Sequence, residues 1–217
     1  VLALIVDTSS AAVTAGIARV SATGDYEVLA ERVTVNARGH AELLSPAIAS
    51  CLAAADARPG DIGAVVAGVG PGPFTGLRVG LMTATAFADA LGLPAYGVCS
   101  LDAIAADVDI AGRLLVAGDA RRREIYWASY LDAVRETGPG VGKATDLEPG
   151  PVAAVAGAGA RLYRDAFDAV LLEQDYPSVS GLIRCAAERI ASRQQGESLM
   201  PLYLRRPDAV VPAVRTI

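Results

Sequence analysis

The segment Gly70-Pro71-Gly72-Pro73-Phe74-Thr75-Gly76 constrains this chain more than any other stretch. Built mainly of Gly and Pro, it excludes regular structure within itself and marks a tight loop. Before it, residues 62–69 form a short apolar run of the kind that becomes a buried strand. After it, residues 77–91 carry helical apolar spacing and are stopped by Gly92 and Pro94. Strand, tight loop and helix in that order make a unit of an α/β fold. Within the helix, Gly76, Gly80, Ala84 and Ala88 fall four residues apart. A glycine inside a helix costs about 1 kcal/mol against alanine. Such a stripe therefore predicts that another backbone comes close on that side.

The other elements follow from periodicity and turn signals. Strands are predicted at 1–7, 13–20 and 27–35, joined by tight turns into a meander. In residues 38–55, Leu43, Leu44, Ala47, Ile48, Cys51 and Leu52 recur at helical spacing. Pro46 sits either in the first turn of a helix starting near Ser45 or in a bent helix starting near His40. A strand at 95–98 precedes a short helix at 101–107 with Ser100 as its cap. Strands at 114–118 and 124–130 form a pair, and residues 136–151, rich in Gly and Pro, read as loop. A strand at 152–156, a helix at 160–167, a helix at 182–193 capped by Ser178 or Ser180, and a tail at 200–206 that is either a strand or an extended segment follow. The expected class is mixed α/β in two lobes, residues 1–98 and 99–217. There is no short repeat, but Val6-Asp7-Thr8 and Gly118-Asp119-Ala120 echo one another, each a strand end with an aspartate.

Composition narrows the function. With 217 residues, 53% hydrophobic and 20% charged, the chain can bury a core of its own. Few aromatics and much alanine predict a core of Ala, Val and Leu. A net charge of −5 argues against a protein that grips nucleic acid unaided. The basic clusters are Arg121-Arg122-Arg123 and Arg205-Arg206, so a role on RNA calls for a partner. Cys51, Cys99 and Cys185 are scattered and form no CxxC, which suits a reducing compartment. The first residues lack the basic lead of a signal peptide, and no apolar run reaches the ~18 residues of a membrane span. A cytoplasmic protein is expected.

The candidate chemistry is sparse. Asp7, Thr8 and Ser9 at a strand end offer a carboxylate and hydroxyls for a metal-bound phosphate; equally, they fix a turn through side-chain to backbone bonds. Gly70 and Gly72 precede a helix N-terminus, where free N–H groups attract phosphate. The loop matches neither GxGxxG nor GxxxxGK[ST], however, and its prolines remove donors. A rigid turn that lets two helices pack closely fits as well. His40 is the single histidine, which excludes a histidine-rich metal centre. No serine stands in a GxSxG context, so a role for His40 at a helix start or an interface suits it better than a triad. Asp119 and Glu124 flank the triple Arg, as a phosphate site or as a solvated charged hairpin.

These motifs together resemble one family. Leu4-Ile5-Val6-Asp7-Thr8-Ser9 is similar to the first phosphate motif of the actin, Hsp70 and sugar-kinase (ASKHA) superfamily. Gly39-His40-Ala41-Glu42-Leu43-Leu44-Ser45-Pro46 is similar to the H-[SA]-E-x-L-x-P segment of the TsaB (YeaZ) family. Residues 68–80 resemble the G-P-G-S-F-T-G-x-R-x-G signature shared by TsaB and its catalytic relative TsaD. Asp119-Ala120-Arg121-Arg122-Arg123-Glu124-Ile125-Tyr126 resembles the family's D-A-R-x-x-x-[VI]-Y, and Pro201-Leu202-Tyr203-Leu204-Arg205 its P-x-Y-L-R ending. The likeness runs from residue 1 to about 206.

The resemblance implies an ASKHA-like fold and a non-catalytic dimerisation subunit. It would bind TsaD, and through it the ATPase TsaE and tRNA, for threonylcarbamoylation of the adenosine beside the anticodon. TsaD carries an HxxxH metal pair, whereas here Leu44 stands four residues after His40. Asp119 is followed by Ala and three Arg rather than small residues, which disfavours kinase-like ATP binding. The implied phosphate site, Asp7, Thr8, Ser9, Gly70, Gly72 and Asp119, is thus degenerate. No metal and no cofactor are required, and weak or structural nucleotide binding stays open. The implied partner or dimer interface takes in His40, Leu43, Leu44, Ala47 and Cys51 with Gly76, Leu77, Gly80, Ala84 and Ala88. Alone, the chain would form a homodimer. The rival readings are an ATP-dependent phosphotransferase using Asp7 and Asp119, and a peptidase.

Overall fold

In the computed structural model, residues 1–147 and 150–205 are described. The chain forms two five-stranded mixed sheets. The first contains β1 (Leu2–Asp7), β2 (Ala12–Val20), β3 (Tyr26–Val35), β4 (Ile62–Gly68) and β5 (Ala95–Val98), in the order β3-β2-β1-β4-β5. β1, β2 and β3 pair antiparallel, as the predicted meander requires, while β4 and β5 join parallel to β1. The second contains β6 (Arg113–Asp119), β7 (Ile125–Leu131), β8 (Val134–Gly142), β9 (Ala154–Ala156) and β10 (Val170–Leu171), in the order β10-β9-β6-β7-β8. Its pairing repeats that of the first sheet strand for strand. Asp7 and Asp119 close the two equivalent central strands, so the echo in the sequence reflects an equivalence in the fold.

The first sheet is covered on both faces because its strands alternate. Leu4 and Val6 face α1 (His40–Ala54) and α2 (Phe74–Leu91), whereas Ala3 and Ile5 face α5 (Val179–Ala191). The second sheet buries Leu114, Val116 and Tyr126 against α3 (Ser100–Ala106), and Leu115, Ala117 and Val155 on the side of α4 (Ala158–Leu162). α3 contributes Ala103 to one core and Leu101 and Ile104 to the other, which ties the lobes together. α5 follows residue 98 in sequence yet packs under the first sheet.

One open choice closes and several details differ from expectation, among them the helix predicted at 160–167, which is α4 only as far as Leu162 and then a 3-10 turn at Arg164–Ala166. α1 begins at His40 and runs through Pro46, so the earlier start holds. α2 begins three residues early, with Pro73 as its N-cap. Ser100 opens α3 but does not cap it; the N-cap is Cys99, and no side chain caps this helix. Residues 136–142, expected as loop, belong to β8. As an edge strand β8 tolerates Pro139, and Gly140 lies against the Trp127 indole, where a Cβ would come within 2.9 Å of the ring. The tail after Met200 is not a strand, and the Tyr203 N–H turns back to the Pro201 carbonyl at 3.1 Å; Arg206 and the residues beyond it lie outside the described part.

Candidate functional site

A cleft of about 320 Å³ opens where the central strands of the two sheets end. That is at the lower end of small-molecule sites. The first lobe supplies Ser9, Ser10, His40 and Gly76 to its wall, and the second supplies Asp119 and Tyr176.

Asp7 stands behind that wall, 1% exposed. Its Oδ1 accepts from the Ser9 backbone N–H at 2.9 Å and the Ser9 hydroxyl at 2.8 Å. Its Oδ2 accepts from the Ser100 hydroxyl at 2.5 Å. Gly68 closes the remaining side, since a Cβ there would fall 1.7 Å from Oδ2. The carboxylate thus locks the ends of β1 and β4 to the start of α3. Burial pushes its pKa above the ordinary 3.8, while the Ser100 and Ser9 hydrogen bonds pull the other way.

A raised carboxylate pKa favours the protonated folded state. Its stabilising share is complete below pH 3.8 and is lost as pH rises through the raised value. Urea unfolding of wild type and Asp7→Asn across pH 3 to 8 tests this. The stability of wild type minus variant is expected to fall as pH rises, then level off. Taking the difference cancels Asp107, which burial also raises. A difference that climbs with pH would refute the assignment.

Thr8 explains the small stripe of α2. Its hydroxyl donates to the Gly76 carbonyl at 2.7 Å and accepts from the Gly80 N–H at 2.8 Å. A Cβ on Gly80 would stand 2.5 Å from that hydroxyl oxygen. The close backbone approach predicted from the stripe is therefore that of the β1–β2 turn. Gly70 exchanges hydrogen bonds with Ser100, its N–H reaching the hydroxyl at 3.2 Å and its carbonyl taking the Ser100 N–H at 2.8 Å. Asp7, Thr8, Ser9, Gly70 and Gly72 thus meet at one spot. Asp119 faces them across the cleft, accepting the Arg121 N–H at 2.8 Å with the Arg121 guanidinium at 3.5 Å.

His40 Nε2 donates to the Ser10 carbonyl at 2.8 Å, which commits that nitrogen to the backbone. Of the residues expected at an interface, His40, Leu44, Cys51, Gly76, Leu77, Gly80, Ala84 and Ala88 are buried within the chain. Leu43 and Ala47 are half-buried. The outward sides of the two helices carry Ala41, Ser45 and Ala49 on α1 and Met82 and Ala86 on α2.

Sequence reasoning missed Ser100 as a partner of Asp7, because a contact across 93 residues leaves no local mark. It also missed Asp175, whose carboxylate takes the Arg161 Nε–H at 2.8 Å on the far wall of the cleft. Among the described residues, no group of three or more His, Cys, Asp or Glu side chains is placed to hold a metal ion. No helix among them is long and apolar enough to cross a membrane.

Two sheets of equivalent topology, an aspartate ending each central strand and a cleft between them define a two-lobed α/β protein of the ASKHA type. Residues 27–156 match the family model described as TsaD, tRNA N6-adenosine threonylcarbamoyltransferase. An uncharacterized protein of Mycobacterium tuberculosis (strain ATCC 25618 / H37Rv) is 51% identical over 98% of this chain and 96% of its own length. The tRNA threonylcarbamoyladenosine biosynthesis protein TsaB of Bacillus subtilis (strain 168) is 35% identical over 48% of this chain and 45% of its own. The solved YeaZ structure from Pseudomonas aeruginosa superposes with a TM-score of 0.78 at 25% identity, covering 94% of this chain and 99% of that one. The chain belongs to the family that the TsaD model describes, on its TsaB/YeaZ side.

Proposed function

We propose that this chain acts in tRNA threonylcarbamoyladenosine biosynthesis as a non-catalytic subunit that pairs with a TsaD-type transferase in the cytoplasm. The observation carrying this reading is the state of Asp7. A carboxylate that ligates a phosphate-bound metal needs free oxygens facing the cleft. Here both oxygens are spent on Ser9 and Ser100 behind the wall. The name of the Bacillus subtilis relative supports the pathway.

Pairing would use the outward side of α1 and the part of α2 from Met82 onward, leaving Phe74 and Arg78 outside it. Ala41, Ser45, Ala49 and Ala86 are small and exposed there beside Met82, which is 65% exposed, with Glu42 and Asp89 the exposed charges, and helices with small residues approach closely. The inward stripe holds α2 against the β1–β2 turn and so sets that surface. TsaE and tRNA would join through the pair, and the free chain would form a homodimer through the same helices. The division into lobes near residue 98 belongs to this reading, with α5 returning to the first lobe.

Size-exclusion chromatography with light scattering, on this chain mixed with its cognate transferase, tests the pairing. A one-to-one complex is expected. Met82→Arg is expected to weaken it by about tenfold or more while leaving the melting temperature unchanged, because a charge would be buried unpaired. A chain that ignores the transferase sinks the reading. Magnesium-dependent ATP turnover by the isolated chain, lost in Asp7→Ala, would install the phosphotransferase instead.

A further inference from the structure

The β6–β7 hairpin turns through Arg121, Arg122 and Arg123, whose φ angles are +62°, +52° and +64°. Residues with a Cβ rarely adopt this left-handed conformation, and three in succession are rarer still. The turn does not need arginine for its shape, because glycine or asparagine would adopt it with less strain. What arginine adds is charge, and all three side chains are exposed.

The C-terminal segment holds this tip in place. Arg205 donates to the Ala120 carbonyl at 2.5 Å and pairs with Glu124 at 2.8 Å. Two and three residues earlier, Tyr203 and Leu202 are anchored to the other lobe. The Leu202 N–H reaches the Val69 carbonyl at 2.8 Å, and the Tyr203 hydroxyl accepts from Arg78 Nε at 3.0 Å. The Tyr203 ring lies 4.9 Å from that of Phe74, and the Arg78 guanidinium lies 3.8 Å from the Phe74 centroid. Phe74 and Tyr203 are each 38% exposed. Two extended residues span at most about 7 Å. A platform of two aromatic rings and one guanidinium therefore adjoins an arginine-bearing tip.

We propose that this band is an RNA-binding face: the arginine tip takes backbone phosphates, and the Phe74–Tyr203 platform takes one unstacked base. The proposal rests on the tRNA reading above and specifies where this chain would touch the RNA. Charge supports it, since arginines concentrate here in a chain of net charge −5, where Arg121 pairs with Asp119 and Arg205 with Glu124. A phosphate backbone is drawn to such a spot, and exposed aromatic and guanidinium planes stack on a free base. An acidic peptide would use the arginines but leave the platform idle.

The test is fluorescence anisotropy of this chain in complex with its cognate transferase, using a labelled unmodified tRNA across a salt series. Wild type is expected to bind at low salt. Arg121→Asn with Arg123→Asn, chosen because asparagine tolerates the left-handed turn, is expected to bind at least about tenfold more weakly. Removing two phosphate contacts should make its log–log salt slope shallower by about 1.4. Tyr203→Leu is expected to lose about fivefold or more with the slope unchanged, and Tyr203→Phe to retain binding. Matching melting temperatures across the variants confirm that the fold is intact. No binding by wild type, no change in the variants, or displacement by polyglutamate as readily as by unlabelled tRNA would overturn the proposal. If that happens while wild type and the double variant alike restore threonylcarbamoylation in mixtures with the transferase, the RNA face falls and the proposed function stands. If wild type does not restore the modification either, both fall.

Discussion

Replacing Gly72 with alanine is expected to cost about 3–5 kcal/mol of folding stability, which few single methyl groups do. The added Cβ would stand 2.0 Å from the Ser9 carbonyl oxygen and 2.7 Å from its carbon. Neither partner is free to retreat. Ser9 is tied to Asp7 through both its N–H and its hydroxyl, and the loop carrying Gly72 is tied to Ser100 through Gly70. Backbone must therefore move against backbone, at the point where the first phosphate motif meets the Gly-Pro loop. Gly60→Ala is the matched control. Nothing lies within 4 Å of a Cβ there, so its effect is expected to stay within about 0.5 kcal/mol. Urea unfolding compares the two. If Gly72→Ala unfolds within 1 kcal/mol of wild type, the two loops do not touch as described.

Thr8→Val is expected to cost about 2–3 kcal/mol, although valine matches threonine in shape. Thr8 is 1% exposed, and its hydroxyl serves as donor to Gly76 and acceptor from Gly80 on the same helix. Valine removes that bridge; the Gly76 carbonyl and Gly80 N–H, four residues apart on α2, can then pair only with each other, and each buried bond lost to Thr8 costs roughly 1 kcal/mol or more. Thr8→Ser keeps the hydroxyl and should lose less than half as much, mainly through the missing methyl. Chemical denaturation of both variants gives the comparison. Equal losses would mean that Thr8 matters for packing and that the hydroxyl bridge is incidental.

Where one stretch of chain carries the whole signal, the sequence was legible. The apolar runs of β1, β4 and β6, the Gly-Pro loop before α2 and the stops at Gly92 and Pro94 all act within a few residues. β8 escaped because its Gly and Pro residues read as turn; only the neighbouring Trp127 and its position at an edge make it a strand. The small stripe of α2 was read correctly as a close approach. Spacing alone could not say whether the neighbour would be a partner or the Thr8 turn of the same chain, since helical periodicity reports a face and not its occupant. Asp7 shows the same limit. A strand-end carboxylate is visible in the sequence, but whether it faces a cleft or is sealed behind one depends on Ser100 and Gly68, far away along the chain.

The placement of α5 has a consequence for how the molecule is made. The underside of the first sheet, with Ala3, Ile5, Ala18 and Val66, is covered by Val179, Leu182, Ile183 and Ala186. A ribosome adding about 5–20 residues per second emits β5 several seconds, up to some twenty, before it emits α5. Through that interval the nascent first lobe has every one of its strands and only one of its two coats, and the missing coat is still being translated.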